Sequence, residues 1–145
     1  MPRMTRTVVA WITGVVLFLE TFGLVLLCLT LGAVVDNQSM SLAGTDPDAV
    51  VTGSYVLAAV AGLFLCACAV VALRCALRRR APVRTGRVLL IVAAVTHGVL
   101  AAVSLALLGP AVFLGLLLVL ALLVLILVSP DAAPAGPEVS PSTTP

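Results

Sequence analysis

Four stretches of the chain, about residues 8–35, 49–77, 88–108 and 111–128, are dominated by apolar side chains and separated by short breaks, the first two of them polar. Each meets the length of about 17–25 apolar residues that a helix needs to cross a bilayer. The apolar runs are continuous and do not alternate, so they read as helices and not as the strands of a membrane barrel. The pattern predicts an all-α fold, a bundle of four transmembrane helices over residues 1–128. At roughly 1.5 Å per residue the fourth helix is just long enough to span, and the first is longer than it needs to be. The remainder, SPDAAPAGPEVSPSTTP over 129–145, has no apolar periodicity and is predicted to be a disordered tail.

The breaks between the runs carry their own signals. In GTDPDAVV, Asp46 is placed to cap a second helix that opens at Pro47, with Asp48 at the positive end of its dipole. Thr85 is placed to cap the third helix in the same way. Only Gly109-Pro110 separates the third run from the fourth, which predicts a tight antiparallel hairpin. Ala94, Gly98 and Ala102 form a small-residue row on the third helix, and Ala58 and Gly62 a shorter one on the second, as close helix packing in lipid requires. The fourth helix, AVFLGLLLVLALLVLILV, has little to specify packing and is expected to face lipid over much of its surface.

Composition agrees with the pattern. Of the 145 residues 62% are hydrophobic and 10% charged, with a mean hydropathy of +1.28, against roughly 45–50% and 25% in soluble domains. All eight basic residues are arginine. Arg3 and Arg6 precede the first run, and Arg74, Arg78, Arg79, Arg80, Arg84 and Arg87 crowd the turn between the second and third. The positive-inside rule therefore predicts that both termini and this turn are cytoplasmic, in the cell membrane, with Trp11 at the inner interface and Tyr55 at the outer one. Arg3 and Arg6 ahead of an apolar run also suggest a signal peptide. That run is about twice a normal signal core, contains Glu20 and lacks a convincing small-x-small cleavage site, so it reads as a retained helix.

The stretch VVLFLETFGLV, residues 15–25, places one acid, Glu20, in the middle of a spanning helix. Such a group costs on the order of 2.5–3.5 kcal/mol to insert, so it is expected to point into the bundle towards a partner. Thr13, one heptad earlier, shares its face. His97, near the middle of the third helix, is the natural partner, with Ala93, Ala101 and Ser104 on the same face. Counted from Arg6 and Arg87, the two lie fourteen and ten residues in, an offset of roughly 6 Å that long side chains can bridge. The functional reading is a proton- or cation-handling pair. The structural reading is a protonated acid tying two helices together and a neutral histidine bonded to a backbone carbonyl or to Thr21. Glu20, His97 and Thr13 are thus the candidate intramembrane site.

Other chemistry has weaker support. One His and one Glu give too few ligands for a metal. Asp36, Asp46 and Asp48 in the outer turn match no calcium loop, and capping explains two of them. Cys28, Cys66, Cys68 and Cys75 are not spaced for a metal or a redox dithiol and read as inert packing. The arginine turn attracts anionic headgroups, each side chain contributing about 1 kcal/mol. It has no interleaved aromatic residues to stack bases, so nucleic acid is not expected as a partner. No catalytic triad, phosphate loop or dinucleotide fingerprint is present; neither an enzyme nor a cofactor is expected.

Two resemblances add to this. SMSLAGTDPDAVVTGSYVLA and RRRAPVRTGRVLLIVAAVTHGVL resemble stretches of small four-span integral membrane proteins of actinobacteria, notably streptomycetes. Those share an Asp-Pro-Asp entry to the second helix, an Ala-Pro-containing Arg-rich turn and a Thr/Val-His-Gly third helix. That resemblance implies fold and membrane location, and no activity. Glu20 and Gly23 are also similar to the Glu-x-x-Gly of small multidrug resistance exporters, which have an essential acid in the first of four short helices. The present third helix has no aromatic residue where those proteins carry a tryptophan, and only 4% of the chain is aromatic. The expected function is that of a non-enzymatic accessory or interaction component of the cell membrane, as a homo-oligomer or within a larger complex. The alternative is a small proton-coupled transporter with Glu20 as the proton and substrate site.

Overall fold

The computed structural model of the chain describes residues 3–38, 44–78 and 82–128. They form four helices: α1 (Arg3–Gln38), α2 (Pro47–Arg78), α3 (Arg84–Leu107) and α4 (Pro110–Val128). All four are long and apolar enough to cross a membrane. With 36, 32, 24 and 19 residues, they run about 54, 48, 36 and 28 Å at 1.5 Å per residue. The protein is an all-α, four-helix integral membrane protein. Arg79, Arg80 and the tail over 129–145 lie outside the described residues, as do residues 39–43 between α1 and α2.

The helices form a ring in chain order, α1 against α2, α2 against α3, α3 against α4 and α4 against α1. Among the described residues no Cα of α1 comes within 8 Å of one in α3, nor α2 of α4; these pairs are the diagonals. The α1–α2 pair packs closely along much of its length because glycine or a small residue stands wherever a large one approaches. A Cβ at Gly14 would meet Leu73, one at Gly62 would meet Val25, and Gly32 lies against the Tyr55 ring. In α2 the inward row is made largely of Ser54, Ala58, Gly62, Ala69, Ala72 and Ala76. In α4 only Val119, Leu123 and Ile126 are buried, with Leu120 and Leu127 packed partly buried against the core; much of the remaining helix presents apolar surface outward, as lipid requires.

Helix ends follow local chemistry in two places and depart from the sequence reading in a third. The Asp46 side chain accepts a hydrogen bond from the Asp48 backbone N–H at 3.0 Å, and its carbonyl accepts from Ala49 and Val50. Asp46→Ala is therefore expected to destabilise the start of α2 by about 1 kcal/mol, read as faster amide exchange at residues 48–50. The α3–α4 turn closes on Gly109 at φ +89°, a left-handed conformation natural to glycine, and the Leu108 and Gly109 amides both donate to the Ser104 carbonyl. Thr85 does not cap α3. The helix begins one residue earlier, behind an extended Val83 (φ −58°, ψ 160°) that offers no side-chain cap, so Thr85 falls inside the first turn.

The small-residue row expected at Ala94, Gly98 and Ala102 is also corrected. Ala94 is buried and Gly98 half-buried, but Ala102 is exposed. A strict four-residue row drifts about 40° per step around a helix of 3.6 residues per turn and leaves the interface. The row that stays inside mixes steps of three and four through Gly86, Leu90, Ala93, His97, Ala101 and Ser104.

Candidate functional site

Glu20 on α1 and His97 on α3 meet across one diagonal of the ring. The His97 Nε2 lies 3.0 Å from Glu20 Oε2 and 3.1 Å from Oε1. The two backbones have no Cα approach within 8 Å, so only two long side chains directed at each other bridge the gap. Room for them comes from α3 itself: Ala93 and Ala101, one turn either side of the histidine, are buried alanines. Leu17, Leu90 and Leu123, from three different helices, are fully buried in the surrounding core.

The other ring nitrogen sets the proton inventory. His97 Nδ1 lies 2.7 Å from the Ala93 carbonyl. A carbonyl oxygen only accepts, so Nδ1 carries a hydrogen and donates it. Nε2 and the carboxylate then share one further proton. Whether it sits on nitrogen, as imidazolium and carboxylate, or on oxygen, as imidazole and carboxylic acid, the pair as a whole is neutral. Both forms make the same contact. Losing that proton would point the Nε2 lone pair at a carboxylate; gaining another would bury a net positive charge. The geometry thus holds one proton between two atoms in an apolar setting.

The two partners are not equally enclosed. His97 is 2% exposed, while the Glu20 side chain is 26% exposed. One turn along α1, Gly23 has no atom within 4 Å of the position a Cβ would take. Gly23 itself is exposed on the surface of α1.

The remaining candidates are placed apart from the pair. Thr13 is fully buried but donates to the Val9 carbonyl at 2.8 Å, two turns from Glu20, and does not join it. Thr21 donates to Leu17 and is not the histidine's partner. Cys68 is buried with its thiol 3.9 Å from the Leu89 carbonyl, and neither it nor Cys28, Cys66 or Cys75 is in a disulfide. Among the described residues no group of three or more His, Cys, Asp or Glu could hold a metal ion.

Arg74, Arg78, Arg84 and Arg87 are exposed at the end where α2 finishes and α3 begins. Arg78 suits the negative end of α2, whereas Arg84 and Arg87 occupy the positive end of α3, where helix electrostatics favours acids. Helix stability does not account for those two. Set against family models, curated proteins and solved structures, the chain matches none.

Proposed function

We propose that this integral membrane protein is a non-enzymatic component that acts through contacts with other membrane helices, with the Glu20–His97 pair as an internal clasp between its two hairpins. The carrying observation is the closed bonding of the pair. The histidine's two nitrogens are taken by Ala93 and Glu20, leaving it nothing to offer a substrate. Both termini and the arginine-bearing turn are assigned to the cytoplasmic side of the cell membrane, with anionic headgroups beside Arg74, Arg78, Arg84 and Arg87. The arginine count on each side supports that orientation.

A second reading, proton-coupled transport, is favoured by one observation: the side chain of Glu20, the acid of the pair, is partly exposed. The two readings separate in liposomes carrying an imposed pH gradient and an internal pH dye. Under the first, vesicles with the protein dissipate the gradient no faster than empty ones, and Glu20→Gln changes nothing. Flux above the empty-vesicle rate that Glu20→Gln abolishes would make transport the function.

A further inference from the structure

We infer that the Glu20–His97 clasp is a proton-dependent latch: the joint between the α1–α2 and α3–α4 hairpins tightens as pH falls through neutrality and loosens as pH rises. The inference rests on the accessory reading above and names how the alignment of the two hairpins is regulated.

The latch follows from the proton count of the closed pair. Because Nδ1 donates to the Ala93 carbonyl at 2.7 Å, the contact of Nε2 with the Glu20 oxygens, at 3.0 and 3.1 Å, needs one proton between ring and carboxyl. His97 is 2% exposed, and a gained or lost proton would leave a net charge in the core. Closed, the pair therefore keeps one proton on both sides of neutrality. Open, with both groups hydrated, it does not. A hydrated carboxylate is ionised above about pH 5, and a hydrated imidazole gives up its proton above about pH 6.5. Above that pH the open form binds one proton fewer than the closed form, so each further unit favours opening about tenfold.

The latch sits at the joint between the hairpins and at some distance from its pivot. Within the hairpins the close approaches are apolar: Gly14 on Leu73 and Gly62 on Val25 in the first, Gly98 on Leu120 in the second. Gly86 against Val71 holds α2 to α3 near their connecting turn, and His97 stands eleven residues further along α3, about 16 Å at 1.5 Å per residue. Among the described residues α4 has no titratable side chain, and the other charged groups of α1, α2 and α3 stand near helix ends. Cys68 of α2 faces the same core. Its thiol donates to the Leu89 carbonyl, in the neutral form that thiols hold below about pH 8.

Glu20→Gln reverses the dependence. The amide carries no charge and donates its N–H to Nε2, so the closed histidine is neutral. Open, the imidazole takes up a proton below about pH 6.5, and acid now favours opening. A contact that only fills space gives neither the dependence nor its reversal.

The test is reversible unfolding of the full chain and of Glu20→Gln in mixed micelles at about pH 6 and about pH 8, either side of the imidazole value. The nitrogen resonances of His97, the one histidine of the chain, are followed in the folded parent over the same range. One proton per transition gives the parent a folding constant about twentyfold larger at the lower pH, and Glu20→Gln one about fourfold smaller. The ring resonances stay constant in the folded parent, as a closed pair with one proton requires. A parent constant that does not change overturns the latch, as does a variant that retains the parent's dependence. Ring resonances that titrate in the folded parent overturn it as well, whether or not the variant folds. Each of these failures leaves the accessory reading standing, whereas proton flux in liposomes defeats that reading whatever the slopes.

Discussion

Replacing His97 by leucine is expected to destabilise the bundle by about 2–4 kcal/mol, and Glu20→Leu by a similar amount, while the double replacement returns to within about 1 kcal/mol of the parent. The basis is an asymmetry between breaking a buried pair and removing it. Taking one partner from such a pair leaves a desolvated polar group and typically costs 3–5 kcal/mol, whereas replacing both by apolar groups of similar volume is near neutral. Here the single losses fall towards the low end. In His97→Leu the orphaned Glu20 side chain is 26% exposed and so is not fully desolvated. In Glu20→Leu the histidine keeps its Nδ1 bond to Ala93 and loses only one contact, though at a position 2% exposed. The double variant fills the diagonal with two leucines among Leu17, Leu90 and Leu123. Reversible unfolding in mixed micelles, run on all four proteins, gives the coupling energy directly. Additive effects, with the double variant as damaged as the sum of the singles, would mean that the two side chains do not act as a unit.

The clasp would then contribute alignment and little net stability. In a four-helix ring whose helices are mostly apolar on every side, one helix can rotate about its axis with small loss. Among the described residues Glu20–His97 is the polar contact that ties α1 to α3 across the ring. It fixes how the α1–α2 hairpin turns relative to the α3–α4 hairpin, because each partner has one place where its polar end is satisfied.

How far this arrangement is legible in the sequence depends on what each residue says about its surroundings. The four spans are legible because lipid demands continuous apolar runs, and the ends at Pro47 and Pro110 come within a residue or two of the sequence reading. The start of α1 is not, since it begins at Arg3 and not near Val8. Hydropathy marks where the hydrocarbon begins, whereas a backbone ladder continues through polar residues until something breaks it. That Glu20 and His97 face inward is legible, because both are expensive in lipid and His97 has alanines beside it. That they lie on opposite corners of the ring is not. Ring order is set by small-residue contacts such as Gly14–Leu73 and Gly62–Val25, and one glycine among many apolar residues does not announce its neighbour. Ala94, Gly98 and Ala102 show the same difficulty from the other side: three small residues in a row, of which the last is exposed.

Those contacts carry the second large expected effect. Gly14→Leu should destabilise the α1–α2 pair by about 2–4 kcal/mol, whereas Gly23→Leu, on the same helix, should change stability by less than about 0.5 kcal/mol. A Cβ at Gly14 would lie 2.6 Å from both Leu73 Cγ and Leu73 Cδ2 and 3.3 Å from the Leu73 backbone nitrogen. Rotating Leu73 removes the first two contacts but not the third, so a larger side chain must push the backbones apart. Overpacking of this kind typically costs 1–3 kcal/mol and more where the backbone is involved. Gly23 meets nothing within 4 Å, and leucine is the better helix former. The damage at Gly14 should also travel, because Glu20 stands less than two turns further along the same helix. Spreading α1 from α2 there draws the carboxyl off His97 Nε2. Thermal unfolding in detergent reads the first effect and the His97 ring resonances read the second. If Gly14→Leu unfolds at the parent temperature with those resonances unmoved, the close approach of α1 and α2 at Leu73 is wrong, and with it the level at which Glu20 meets its partner.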